Sequence, residues 1–339
     1  MKSVSIRQAK PFIVKTLLAG LCPMIAGSPG CAKSATIHEI AEEYNLHLID
    51  IRLSTVDPSE MNGFGMVVDG IAKYVPFDVF PIEGTPLPKG KDGFIIFLDE
   101  LTSAAPAVQA SAYRLILDRM VGQHKLHPKC LLAAAGNLIT DGAIVHRQST
   151  ALSSRMVHFK VEPNVKEWIE DFALPKGVDY RVIGFAEFKP ELLTRFDPAK
   201  VNFTFPCLRT YEFLSRLIKG DSVEYDNIPL YQGAIGEGAA TEFVSYCKVY
   251  KEIPSLEEIL ADPTGFKLPT EPSTQLALSN MIASNLDATN APVLIQAIER
   301  LDVSMQVATM IKTFAKRIKD LEKVAPINEW IIKNQSKLI

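Results

Sequence analysis

The tightest constraint in the chain is the stretch Pro23–Ser34, PMIAGSPGCAKS, where an apolar run breaks into glycines and closes on Lys-Ser at the head of a helical pattern. Gly27 comes first, Gly30 follows, and Lys33 and Ser34 end the run, with Ala32 where the last glycine of a phosphate-binding loop is expected. Glycine has no Cβ, so the backbone from Gly27 through Ser28, Pro29, Gly30 and Cys31 to Ala32 is free to turn its N–H groups toward phosphate oxygens. Lys33 would then reach the terminal phosphates and Ser34 would offer its hydroxyl to Mg²⁺. A helix expected from about Ala35 to Glu43 would aim its positive end at the same anions. Read alone, the stretch also suits a plain glycine turn between a strand and a helix.

A second stretch decides between those readings. Gly93–Leu101, GFIIFLDEL, is a buried strand from which two acids emerge, Asp99 and Glu100. In an open α/β sheet, ligands lie outside the carboxyl ends of the strands. Asp99 is therefore expected to hold Mg²⁺ through water, and Glu100 to polarise the water that attacks a γ-phosphate. Cys130–Ala135, CLLAAA, reads as another buried strand and ends in Gly136-Asn137. The Asn137 amide could hold the attacking water or the γ-phosphate, although asparagine is also an everyday turn residue. ALSSRMVHFKV sets Arg155 just ahead of a fifth strand, where it suits either a group offered across a subunit boundary or a surface salt bridge. Arg209 falls in the first turn of a helix over Phe205–Lys219, a position that disfavours cations and so hints at an anionic partner.

The remaining pattern is coarser. Lys10–Leu18 reads as a helix begun by Pro11, and His47–Leu53 as a buried parallel strand. Met66–Val68 and Ile71–Val75 flank Asp69-Gly70, a hairpin signal that fits a surface ribbon or an element shown to a partner. Helices are expected over Pro106–Met120, Lys166–Phe172, Glu187–Thr194, Ile235–Tyr250 and Pro272–Ile339, with Pro263–Pro272 as a linker. His124, His127 and Cys130 lack a fourth donor nearby and are not assigned a metal. Cys31 is either a small packing residue or, beside a helix N-terminus, a reactive thiol.

A net charge of −3 argues against a surface that wraps nucleic acid. The five cysteines show no CxxC, no apolar run reaches the roughly 18 residues of a membrane span, and no signal-peptide pattern is present. A cytoplasmic protein with no membrane association is expected.

Taken in order, GSPGCAKS, FIIFLDE, AAAGN, LSSR and FPCLRT resemble the Walker A, Walker B, sensor-one, arginine-finger and sensor-two segments of AAA+ ATPases, most closely the MoxR-like branch of phages and bacteria. The resemblance covers about Ile6–Tyr250. It implies an α/β fold: a P-loop NTPase core with a five-stranded parallel sheet over 1–170 and a hairpin insertion at 54–81. A smaller all-α lid over 171–262 and a helical C-terminal extension over 263–339 would follow. It implies ATP and Mg²⁺, with residues 27–35 and Arg209 on the nucleotide, Ser34 and Asp99 on the metal, and Glu100, Asn137 and Arg155 in catalysis. The resemblance implies ATP hydrolysis by a homo-oligomer, a hexameric ring, which remodels or assembles a protein client facing the hairpin. LSSR also resembles the clamp-loader form, so Arg147 rivals Arg155, and a nucleic-acid motor stands as the second reading. An ATP-gated scaffold is the third.

Overall fold

The computed structural model describes residues 1–141, 146, 148–194, 197, 199 and 203–335. The chain divides into two compact units, Met1–Pro163 with Asp197–Lys200, and Asn164–Phe196 with Val201–Ile339.

The first unit is built on α1 (Ile6–Leu18), β1 (Cys22–Ala26), α2 (Lys33–Glu43), β2 (Leu46–Arg52), α3 (Pro58–Asn62), β3 (Phe64–Val68) and β4 (Ile71–Val75). It continues with β5 (Gly93–Asp99), α4 (Pro106–Asp118), β6 (Met120–Val121), β7 (His124–Lys125), β8 (Cys130–Gly136), α5 (Thr150–Ser153) and β9 (Met156–Lys160). Five strands form one sheet in the order β2-β5-β8-β1-β9, and every pairing in it is parallel. Every residue of β5 is buried, as expected of a strand covered on both faces. Alternation along β5 divides the core. Ile95 and Phe97 pack with Ile13 of α1 and Ile37 and Ile40 of α2, while Phe94, Ile96 and Leu98 pack with Val108, Ala112 and Leu115 of α4.

Three expectations about this unit need correction. The first helix begins at Ile6, because Ser5 and Gln8 form a capping box ahead of it; Pro11 lies inside the helix. The His47–Leu53 strand is parallel as expected but sits at the sheet edge, where His47, Asp50 and Arg52 are exposed. The hairpin is longer than expected: β3 and β4 pair antiparallel from Phe64↔Val75 to Val68↔Ile71, and Asp69 (φ 55°) and Gly70 (φ 75°) turn it. All of β4 is exposed.

The second unit is helical: α6 (Val165–Trp168), α7 (Tyr180–Phe188), α8 (Glu191–Thr194), α9 (Leu208–Leu217), α10 (Ile228–Ile235), α11 (Glu237–Cys247), α12 (Leu256–Ala261), α13 (Pro272–Asn285), α14 (Ala291–Glu299), α15 (Val303–Ala315) and α16 (Ala325–Asn334). The single helix expected over Glu187–Thr194 is replaced by α7 and α8, separated at Lys189-Pro190 because proline cannot continue the hydrogen-bond ladder. Gly236 (φ 84°) ends α10 at Ile235, so the helix expected from Ile235 starts at Glu237 as α11. The stretch expected as a linker is anchored: Phe266 is buried, and the Arg300 guanidinium lies 4.3 Å from its ring centroid. Lys312 of α15 bonds Glu187 of α7 at 2.8 Å and Asn280 of α13 at 2.6 Å, tying these helices together.

Candidate functional site

Three neighbouring strands, β5, β8 and β1, run parallel, so the segments that leave them emerge along one edge of the sheet. Adjacent strands stand about 4.8 Å apart, which places the three loops within side-chain reach of one another.

The loop after β1 is sterically specified. A Cβ on Gly27 would meet the Val161 side chain and carbonyl at 2.7 Å and the Cys31 sulfur at 2.8 Å. Gly30 takes φ 78°, in the left-handed region. Ala32 caps α2 at φ 66°, ψ 21°, the conformation for which the sequence pattern expects glycine. Alanine there costs roughly 1–2 kcal/mol; glycine would relieve that strain and lose part of the gain by freeing the unfolded chain. Ala32→Gly is therefore expected to stabilise the unit by about 0.5–1 kcal/mol; a lower Tm in thermal unfolding would contradict this. Pro29 lies between these glycines, Cys31 is buried, and Ala35 is exposed in the first turn of α2.

Lys33 is only 8% exposed. Its ammonium donates to the carbonyls of Gly27 at 2.7 Å and Ser28 at 3.0 Å, and to Asn137 Oδ1 at 3.1 Å. Ser34 Oγ donates to Asp99 Oδ2 at 2.8 Å, and Asp99 is likewise 8% exposed. The structure thus brings Lys33, Ser34, Asp99 and Asn137 together. Glu100 follows Asp99 at φ 57°, ψ 30°, and its backbone N–H donates to Asp99 Oδ1 at 2.8 Å. Its carboxylate accepts a hydrogen bond from Ser54 Oγ and pairs with Arg52 Nε at 3.6 Å.

Four participants escaped the sequence reading. Arg52 ends β2 directly opposite Asp99 in the parallel register, and Ser54 follows it. Thr102 Oγ1 accepts from Asn137 N at 2.9 Å and donates to Asn137 O at 3.2 Å. Asp141, 6% exposed, accepts from Ser28 Oγ and from Leu138 N, both at 2.9 Å. Only the strand order β2-β5-β8-β1 brings these residues to the site, and no local spacing encodes it.

Two expected residues lie outside these three loops. Arg155 precedes β9, at the amino end of the sheet; it donates to Ala151 O at 3.0 Å and Ser154 Oγ at 2.7 Å, and its guanidinium lies 5.3 Å from the Tyr113 ring centroid. Arg209 is exposed in the first turn of α9, in the second unit. Arg147, the rival to Arg155, lies outside the described residues.

Burial pushes the thiols of Cys22 and Cys130 up to about 12, which makes them inert core residues.

Residues 23–156 match the ATPase family associated with various cellular activities (AAA). The match begins in β1 and ends at the first residue of β9, so all three site loops fall within the matched stretch. Among solved structures, the Thermotoga maritima RuvB Holliday junction branch migration motor is similar at 14% identity and a TM-score of 0.34, covering 97% of this chain and 86% of that one. NtrX from Brucella abortus is similar at 14% identity and a TM-score of 0.35, covering 94% of this chain and 69% of that one. No curated protein matches the chain. No described helix is long and apolar enough to cross a membrane.

Proposed function

We propose that the chain is an oligomeric, Mg²⁺-dependent ATPase of the MoxR-like kind that uses hydrolysis to remodel or assemble a partner protein. The observation that carries this reading is the hydrogen-bonded convergence of Lys33, Ser34, Asp99 and Asn137 from three loops at one sheet edge. Lys33 can exchange its loop carbonyls for phosphate oxygens, which are stronger acceptors for an ammonium. The N–H groups opening α2 and the left-handed turns at Gly30 and Ala32 supply the rest of the cradle. Ser34 and Asp99 form a hard, all-oxygen pair suited to Mg²⁺. Held there, the cation would offset charge on the phosphate oxygens. Glu100 takes the proton of the attacking water, and Asn137 orients that water or the γ-phosphate.

Support for a protein client comes from the β3–β4 ribbon, on which Phe64, Met66, Val67, Ile71 and Tyr74 are all exposed. Clustered exposed apolar side chains mark interaction surfaces. The net charge of −3 sits poorly with a nucleic-acid motor.

Lys33→Ala is expected to remove ATP binding and turnover together, because the Lys33 ammonium is held inside the phosphate loop by two of its carbonyls, where the phosphates would lie. Phosphate release measured alone, with an unfolded protein, and with duplex or single-stranded DNA checks both parts. Turnover independent of Lys33 would overturn the ATPase. Stimulation by DNA, falling steeply with salt, would replace the protein client with nucleic acid.

A further inference from the structure

We infer that Asp141 is a positioning residue for this hydrolysis, tying the phosphate loop to the Asn137 loop; the inference rests on the ATPase reading above. Its carboxylate holds two donors from different segments. Oδ1 takes the hydroxyl of Ser28, which lies 113 residues away in sequence, and Oδ2 takes the backbone N–H of Leu138, the neighbour of Asn137. Lys33 completes a closed ring by donating to the carbonyl of Ser28 and to Asn137 Oδ1. Ser28 is therefore gripped through its carbonyl by Lys33 and through its hydroxyl by Asp141.

The two links differ in what nucleotide does to them. Once Lys33 turns to a phosphate, its bonds to Ser28 and Asn137 are the ones given up. The Asp141 link involves no atom that a phosphate needs, so it remains and keeps Asn137 in register with the phosphates. A carboxylate suits this place because two acceptor oxygens are required at once, and alanine offers none. A buried acid beside a cradle for anions is otherwise unfavourable, which makes its presence there unexplained by packing alone. Thr102 fixes Asn137 against the β5 side, so the loop has a rigid partner on each flank.

The test is a cycle of Asp141→Ala, Ser28→Ala and the double substitution in the full chain, read by steady-state ATP turnover, by titration with a fluorescent ATP analogue and by thermal unfolding. Each single change is expected to lower kcat by about 10–100-fold, the scale of a misplacement near 1 Å. The analogue's Kd should stay within about threefold, and the double variant should be no slower than the worse single one. If Asp141→Ala does not fold, Ser28→Ala decides alone: it must lower kcat at unchanged Kd and Tm. Additive losses, a raised Kd at normal kcat, or an unaffected Ser28→Ala would overturn the tie while leaving the ATPase standing. Absence of any Lys33-dependent turnover in the unsubstituted chain would sink both.

Discussion

Glu100→Gln is expected to bind ATP as tightly as the unsubstituted chain and to turn it over about 10²–10⁴-fold more slowly, the range that a positioned general base contributes. Glutamine has the same shape and lacks only basicity. The residue sits at φ 57°, ψ 30°, which glutamine meets at the same cost as glutamate. The amide oxygen can still accept from Ser54, and the backbone bond from residue 100 to Asp99 Oδ1 does not involve the side chain. Ser34 and Asp99 therefore keep their geometry, and Lys33, on another loop, is untouched. The engaged state of the carboxylate sharpens the expectation. Glu100 Oε2 can stay bonded to Ser54 while another carboxylate lone pair takes the proton from water, and it is that basic site that glutamine lacks. Phosphate release and nucleotide titration, run side by side, check this. Normal turnover in the glutamine variant would remove Glu100 from the chemistry. On the proposed reading a variant that binds without hydrolysing would also hold a client, so affinity capture with it tests whether there is one.

What the sequence disclosed and what it hid follow from the range of the interactions. The glycines of the phosphate loop, the fully apolar β5 and the acids that end it are local signals, because each reflects what one segment needs for its own conformation or burial. The five parallel strands were legible for the same reason. Arg52, Ser54, Thr102 and Asp141 were not, since each acts through a partner on another strand or loop and looks in sequence like any surface polar residue. The edge position of β2 was hidden too: HLIDIRL reads as a run apolar on nearly every residue, and only the strand order leaves His47, Asp50 and Arg52 exposed at the edge. In the helical unit the errors lie at Lys189-Pro190 and Gly236, single residues that break a periodicity otherwise continuous.

Arg155→Ala is expected to spare ATP binding and lower turnover by about 10³-fold or more, as loss of an arginine supplied in trans does. The argument is geometric. β9 pairs with β1 from Cys22↔Met156 to Ala26↔Lys160, so Arg155 stands at the amino end of the sheet while the phosphate loop leaves the carboxyl end. Five residues of strand span about 17 Å. That distance exceeds the reach of an arginine side chain, so Arg155 cannot touch a nucleotide held by its own chain. It is nonetheless presented in an ordered way, exposed, bonded to Ala151 and Ser154 and stacked over Tyr113. An exposed guanidinium held by a cation–π contact is preorganised for a second anion. If that anion is the nucleotide of a neighbouring copy, turnover per chain rises with protein concentration. Mixing Arg155→Ala with Lys33→Ala chains then restores part of the activity: the second variant cannot bind ATP but still supplies its own Arg155 to the first. No recovery on mixing, with turnover independent of concentration, would confine catalysis to one chain. Normal turnover in Arg155→Ala alongside a loss in Arg147→Ala would move the trans-acting group to Arg147, eight residues earlier, and leave the site of hydrolysis itself unchanged.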